Sequence, residues 1–319
     1  MGGHLDPTVA TARNLVRAAL SDLRQGDSVV VAVSGGADSL ALASAVAFVA
    51  PKLGLGACAV IVDHGLQAGS AEVAERAATQ VRGLGLDAQV VVVQVGSAGG
   101  PEAAARHARY EALAAQDAAA VLLAHTLDDQ AETVLLGLGR GSGPRSLSGM
   151  APITGLYRRP FLTLTRAETE RVCVASGLDW WNDPHNTDPA YRRVRVRKEL
   201  LPLMEDVLGG GVAAALGRTA SLARMDTDYL DGLAADIATE SLAGLALLPV
   251  ALRTRVLRSR ALAEGAAADE LTHVHVSELD RLLTDWHGQG GVELPGGVTA
   301  SRAGDSLVFA PTGYGRLIP

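Results

Sequence analysis

The sequence predicts an α/β fold, in which a doubly wound parallel sheet is followed by a second, smaller and mainly helical domain. Short apolar runs in the first half alternate with helical patterns, the composition changes after Gly139, and Ala- and Leu-rich helical patterns fill the second half. Strands that are apolar throughout are typical of a parallel sheet with helices on both faces. Right-handed crossovers between such strands give the doubly wound arrangement.

Four strands and four helices are expected in the first half. The strands are predicted at 28–33, 57–63, 88–95 and 119–125, and the helices at 39–49, 70–84, 102–115 and 127–138. Ligands of such sheets bind outside the carboxyl ends of the strands. Three of the four ends carry polar residues suited to chemistry, namely Ser34, Asp63 with His64, and His125; the fourth carries Gly96.

The second half begins with a loop-like stretch rich in Gly, Pro and Arg. Helical patterns follow at about 165–176 and 190–208, and the glycine triplet at 209–211 predicts a linker. The expected domains are therefore 1–208, which carries the chemistry, and 209–319. In the latter, 212–286 is predicted to be helical, and the last segment a small β-hairpin or meander with turns at 295–297 and 304–305.

The composition limits the classes of function. The chain has 319 residues, 48% of them hydrophobic, with neither a signal-peptide pattern nor an apolar stretch long enough to span a bilayer, so a cytoplasmic protein without a membrane partner is expected. The two cysteines, Cys58 and Cys173, argue against a thiolate zinc site or an iron–sulfur cluster. The formal charge is −7, yet 140–200 holds eleven basic and six acidic residues, which favours a polyanionic partner for that segment.

A glycine-rich turn connects the first strand to its helix and is a candidate phosphate site. Its residues are Ser34, Gly35, Gly36, Ala37, Asp38 and Ser39. Glycines allow backbone N–H groups to converge on an anion at the helix N-terminus. Asp38 suits such a site if a cation, Mg²⁺, links it to phosphate. The alternative is an ordinary turn in which Asp or Ser caps a helix.

Acidic residues and a histidine open the helix after the fourth strand. Asp128 and Glu132 are four residues apart, Asp129 and Glu132 are three apart, and His125 lies at the strand–helix junction. Carboxylates grouped at a cleft indicate recognition of a cation, such as a free amino acid with two amines. A capping box formed by Thr126 and Asp129 is the alternative, which leaves His125, Asp128 and Glu132 unexplained.

The two motifs resemble those of a known family. The loop SGGADS is similar to the PP-loop of the N-type ATP pyrophosphatase superfamily, and together with HTLDDQAET it resembles the tRNA(Ile)-lysidine synthetase family. Further similar segments are 62–66, 140–143, 183–188 and 191–197, so the resemblance covers about 28–205. His185 stands where that family has Ser, and Val194 where it has Asn.

The resemblance implies a PP-loop, adenine-nucleotide hydrolase-like fold and a ligase reaction. ATP would adenylate the C2 carbonyl oxygen of the wobble cytidine in the CAU anticodon of tRNA(Ile), and free L-lysine would then attack C2 and displace AMP. ATP would lie on the glycine loop with Asp63 and His64, and Mg²⁺ near Asp38. Asp129 and Glu132 would hold lysine, and one of them or His125 would take its proton.

The arginine run 192–197 has a helical spacing that decides which of its members can act together. Arg193 and Arg197 are four residues apart and share a helix face, so they are expected to offset phosphate charge.

Other functions remain open from the sequence alone. A PP-loop tRNA thiolase or a small-molecule amide ligase would use the same adenylation, and a nucleotide-binding module would lack turnover. The sequence leaves the oligomeric state open, a homodimer included.

Overall fold

The computed structural model describes residues 6–65, 67, 69–96, 100–141, 143–183, 188–239, 241–268 and 270–312, and for 101–103 only the backbone. The helices are α1 Pro7–Ala19, α2 Ala37–Val49, α3 Ser70–Gly83, α4 Pro101–Ala114, α5 Leu127–Arg140, α6 Pro144–Leu147, α7 Arg166–Ala175, α8 Arg192–Arg195, α9 Leu201–Leu208, α10 Val212–Ala235, α11 Leu242–Ala246, α12 Val250–Ala263 and α13 His273–Thr284. The strands are β1 Ser28–Val33, β2 Gly56–Asp63, β3 Asp87–Val92, β4 Ala120–Leu122, β5 Ile153–Thr154, β6 Tyr157–Arg158, β7 Val292–Leu294, β8 Val298–Ala303 and β9 Ser306–Pro311.

The larger sheet has the strand order β3-β2-β1-β4-β6-β5 and is parallel except for β5. Its central strands β1, β2 and β4 are buried on both faces, whereas the edge strands β3 and β5 have no fully buried residue. In β1, Val29, Val31 and Val33 pack on the side covered by α1, α2, α3 and α7, while Val30 packs on the opposite side with Leu113 of α4. Burial on both faces explains why the strands are apolar throughout. The predicted doubly wound fold is confirmed.

The strand order places a switch point next to β1. The chain proceeds from β1 outward to β2 and β3, and then returns to the other side of β1 with β4. The loops that leave β1 and β4 therefore diverge and open a crevice at their carboxyl ends, where ligands of such sheets bind.

Some elements differ from the prediction. The helix expected at 190–208 is divided into α8, a π-helical segment Val196–Leu200 and α9. Strands β3 and β4 end earlier than expected, and the short β5–β6 hairpin, which extends the sheet beyond β4, was not predicted. Strands of two residues are too short to produce a periodic pattern.

The chain divides into two compact units, residues 1–136 with 149–218 and residues 137–148 with 219–319. The second unit has its own core, formed by residues such as Leu245, Leu257, Leu279 and Leu282. Its antiparallel sheet β7-β8-β9 is a meander that turns where the sequence indicated. No single helix among the described residues is long and apolar enough to cross a membrane, and one bent pair, Arg192–Leu208 with Val212–Ala235, passes that test by length and composition alone.

Candidate active site

A cavity of about 490 Å³ opens at the carboxyl ends of β1, β2 and β4. This volume lies within the usual range for small-molecule sites. The glycine loop after β1 lines it on one side and the start of α5 on the other, so the two sequence motifs face one opening. The predicted site residues along its wall are Ser34, Gly36, Asp38, Ser39, Asp63, His64, His125, Asp129 and Arg197.

The glycine loop is held by its own serines. Ser39 is buried, and its hydroxyl accepts a hydrogen bond from the backbone N–H of Ser34 at 3.1 Å and donates one to the carbonyl of Gly36 at 2.9 Å. Gly35 has φ +84°, a conformation that favours glycine. Gly36 is the N-cap of α2 and makes no side-chain capping bond, so no capping side chain occupies the space before the helix. This arrangement suits an anion.

Asp38 lies in the first turn of α2, and its charge is only partly compensated. The hydroxyl of Thr169 donates a hydrogen bond to Oδ1, and the Nε of Arg166 lies 3.6 Å from Oδ2. Burial nevertheless raises the pKa of this carboxyl to about 6, against the lowering effects of Thr169 and Arg166, and the nearby Asp129 raises it further. A cation placed beside Asp38 would therefore stabilise the charged form of this buried carboxyl group.

The three acids of α5 lie in different surroundings. Asp129 reaches the cavity: Oδ2 accepts the backbone N–H of Thr126 at 2.9 Å, and Oδ1 lies 3.5 Å from Arg166. The capping contact offered as an alternative is thus present. Burial opposes ionisation of Asp129, but Thr126, Arg166 and Arg193 outweigh it and hold the pKa of the carboxyl below its usual value. Asp128 instead accepts the backbone N–H of Arg166 at 2.8 Å, at the start of α7.

Glu132 is fully buried and holds two arginines. The Nε of Arg193 donates to Oε2 at 2.8 Å, and the Nε of Arg197 donates to Oε1 at 2.6 Å. A second nitrogen of Arg197 donates to Oε2 at 3.1 Å. Both carboxylate oxygens are therefore engaged, and Glu132 does not belong to the cavity wall. Arg193 and Arg197, which the helical spacing of the run 192–197 predicted to share a face, both contact Glu132, and this acidic partner was not predicted.

Arg193 and Arg197 reach Glu132 from successive turns of a helix that changes its hydrogen-bonding pattern between them. Arg193 belongs to α8 and Arg197 to the π-helical segment, and such irregularities are frequent at functional sites. Only Arg197 extends to the cavity wall. Arg193 donates further hydrogen bonds to the carbonyl of Asp129 and the hydroxyl of Thr133.

Two histidines and an arginine of the cavity wall have side-chain nitrogens without a hydrogen-bond partner among the described residues. These atoms are His64 Nδ1, His125 Nδ1 and Arg109 Nε, and all three are buried. Burial lowers the pKa of His125 to about 4, the positive charge of Arg159 adds to the effect, and Asp129 opposes it. Burial and Arg109 also lower the pKa of His64. Both rings are therefore neutral near pH 7.

Sequence reasoning missed three side chains in this region, Arg109, Arg166 and Thr169. Arg109 lies within α4, and Arg166 and Thr169 lie on α7, where the periodic pattern gives no indication that they face a site. Arg166 was noticed only as one of many basic residues. The contact that brings α7 to the cavity is tertiary, and no local signal encodes it.

Residues 183–188 of this chain, which resemble a motif of the known family, are described only in part. Asp183 lines the cavity and its Oδ1 accepts a hydrogen bond from Gln67 at 3.1 Å, whereas 184–187, His185 included, lie outside the described residues. The backbone N–H of Trp181 donates to the carbonyl of Gly35 at 3.0 Å, which ties this segment to the glycine loop. Val194 is buried, as its apolar side chain requires.

The basic surplus of 140–200 is partly neutralised by acids. Arg158 pairs with Asp22, and Arg195 pairs with Glu199. Arg193 and Arg197 both pair with Glu132. The exposed basic side chains that remain include Arg140, Arg192 and Lys198.

Comparisons with known proteins cover almost the whole chain. Residues 7–204 match the family described as a PP-loop domain, and residues 241–308 match the TilS substrate binding domain. The tRNA(Ile)-lysidine synthase of Thermobifida fusca (strain YX) is 55% identical in an alignment 318 positions long, which covers 95% of this chain and 98% of that protein. The protein of the same name from Streptomyces coelicolor is 55% identical in an alignment 297 positions long, which covers 88% of this chain and 84% of that protein.

A solved structure shares the fold at low identity. The U34-tRNA thiolase NcsA from Methanococcus maripaludis, with its 4Fe-4S cluster, superposes with a TM-score of 0.57 at 16% identity, over 68% of this chain and 80% of that one. At this level of identity the likeness concerns the fold alone.

Proposed function

The chain belongs to the tRNA(Ile)-lysidine synthase family, and from that premise we propose that it attaches free L-lysine to the wobble cytidine of tRNA(Ile) with a CAU anticodon. The reaction proceeds through an adenylated RNA and releases pyrophosphate and then AMP. The observation that carries the assignment of residues is the shared cavity, in which the glycine loop faces Asp129 across the switch point of the sheet.

The triphosphate lies against the glycine loop. Backbone N–H groups at the start of α2 face the phosphates, and the hydroxyl of Ser34, which is exposed, is available to them. The cytidine O2 attacks the α-phosphorus, and negative charge accumulates on the departing pyrophosphate. Arg109 and Arg197, both on the cavity wall, offset this charge.

Asp38 is the residue that would hold Mg²⁺. The described residues contain no group of three acidic, histidine or cysteine side chains that could bind a metal by themselves. Mg²⁺ at nucleotides often takes only one or two carboxylates together with phosphate oxygens, so a single undercompensated carboxylate fits it. The ion would supply charge neutralisation at the leaving group.

The lysine amine approaches from the side of α5. Asp129 is the acid of α5 that faces the cavity, whereas Glu132 is taken up by the two arginines. The amine attacks as a neutral group, although its ordinary pKa is near 10.4. His125 is uncharged in this surrounding, so it offers a nitrogen lone pair to the attacking amine rather than a repelling positive charge.

The thiolase alternative has little support in the site. Cys58 lies within β2, and Cys173 is buried on α7 with its Sγ donating to the carbonyl of Ala37 at 3.2 Å. Neither lines the cavity, and burial raises the pKa of both thiols, that of Cys173 to about 12. Both would be protonated and poorly nucleophilic.

Nucleoside analysis tests the proposal directly. The protein is incubated with ATP, Mg²⁺, L-lysine and tRNA(Ile) with a CAU anticodon, and the RNA is digested and examined by mass spectrometry. We expect a lysine-modified cytidine that requires ATP and lysine and is not formed with tRNA(Met), which carries the same anticodon. Formation of a thiolated base, or turnover without RNA, would overturn the proposal.

A further inference from the structure

Arg166 is the side chain that connects the two halves of the cavity. It is the first residue of α7, and its guanidinium lies 3.6 Å from Oδ2 of Asp38 and 3.5 Å from Oδ1 of Asp129. These two acids come from the first turns of α2 and α5, the helices that follow β1 and β4. The guanidinium thus joins the carboxylate of the nucleotide side to the carboxylate of the amine side.

The position of Arg166 is fixed from several directions. Its backbone N–H donates to Asp128 at 2.8 Å, and its carbonyl accepts the hydroxyl of Thr169 at 2.8 Å, the same hydroxyl that contacts Asp38. Thr165 and Glu168 form a capping box that begins α7 at this residue. These contacts anchor the backbone of Arg166, and its side chain, 27% exposed, lies against the two acids.

Arg166 supplies part of the positive charge that lines the cavity. Four carboxylates line the wall, those of Asp38, Asp63, Asp129 and Asp183, and three guanidiniums, those of Arg109, Arg166 and Arg197. Loss of Arg166 would remove one of the three guanidiniums and the cation that lies near both Asp38 and Asp129, while Asp129 would keep Arg197 at 3.6 Å. The formal charge of these side chains would change from −1 to −2, so an anionic substrate would meet stronger repulsion and a cationic substrate would not.

We propose that Arg166 is a positioning residue that shields the triphosphate from Asp38 and Asp129 and so allows one cavity to accept both an anionic and a cationic substrate. This inference rests on the proposed function, because it takes the two substrates to be ATP and lysine. It adds a role for a residue that belongs to neither sequence motif.

The test compares the Michaelis constants for the two substrates. In Arg166→Met we expect KM for ATP to rise by about tenfold, since a unit positive charge near the phosphates is lost, while KM for lysine stays unchanged or falls. Arg166→Lys retains the charge and is expected to restore KM for ATP to within about threefold of the wild type. Arg171→Met is the matched control, because Arg171 is 61% exposed on the same helix, and both constants should keep their wild-type values.

A merely structural role would give a different pattern. If Arg166 only supported the fold, both Michaelis constants would rise together, or kcat would fall with neither constant changed, and either result would overturn the proposal. Circular dichroism establishes that each variant is folded, and Arg166→Gln replaces the Met variant if that one is not. Failure of the wild-type protein to form lysidine would refute the proposed function instead, so the two failures are distinguishable.

Discussion

Replacement of Glu132 by Gln separates an anchoring role from direct binding of lysine. The carboxylate is fully buried and receives three N–H bonds from Arg193 and Arg197. Removing one partner of a buried ion pair costs about 3–5 kcal/mol. Here the arginines are 33% and 26% exposed, so solvent stabilises them in part and about 2–3 kcal/mol is expected. For a unit of this size, the loss corresponds to a decrease in Tm of about 5–10 °C.

Thermal unfolding and steady-state kinetics together measure this effect. Glu132→Gln should unfold at a lower temperature and show a lower kcat for pyrophosphate release, because Arg197 is no longer fixed at the cavity wall. Glu199→Gln is the control: Glu199 also pairs with an arginine, but both partners are more than half exposed, so its Tm should change by no more than about 2 °C. A wild-type Tm for Glu132→Gln with only KM for lysine raised would refute the anchoring role and assign Glu132 to the substrate.

Three further predictions concern the loop, the histidine and the cysteines. Asp38→Asn should abolish pyrophosphate release, because the carboxylate assigned to Mg²⁺ is lost. Its Tm should stay at the wild-type value, because a neutral amide tolerates burial at this position. Near-normal turnover would contradict the assignment of Asp38 to the nucleotide. His125 has a folded pKa of about 4 against about 6.5 unfolded, so the stability it contributes is complete above pH 6.5 and is lost as the pH falls toward 4. Relative to His125→Gln, the wild type should thus lose about 3 kcal/mol between pH 7 and 4 in denaturant titrations, and parallel curves would contradict the cause given. Cys58→Ser should form lysidine at the wild-type rate, whereas loss of the reaction would revive a role for this thiol.

The fold could be predicted from the sequence because its strands are buried on both faces. Runs such as Val29–Val33 of β1 are apolar at every position, and this pattern indicates a parallel sheet without any knowledge of tertiary contacts. The same logic placed Ser34 and His125 at strand ends, and two adjacent strands bring those ends together. Short elements such as β5 and the π-helical turn depend on partners distant in sequence, so they could not be predicted.

Only those residues of the candidate site that lie in short sequence motifs could be predicted. The glycine loop and the start of α5 each gather several polar residues within a few positions, and both line the cavity. Arg166 and Arg109 come from helices whose other residues carry no such signal. The partner of an ion pair is equally hidden: Glu132 and Arg197 are both evident in the sequence, but the 2.6 Å hydrogen bond that joins them is a tertiary contact.

The central claim is that one cavity carries out adenylation and lysine attack in sequence, and a labelled-AMP chase tests it most directly. The protein is incubated with tRNA(Ile) and ATP labelled at the α-phosphorus, without lysine, and the RNA is isolated under conditions that preserve a phosphate ester. We predict that label is transferred to the RNA and that lysine, added afterwards with the enzyme, releases it as AMP while lysidine appears. Lysidine formation without any labelled RNA, or labelled RNA that lysine does not discharge, would contradict the account.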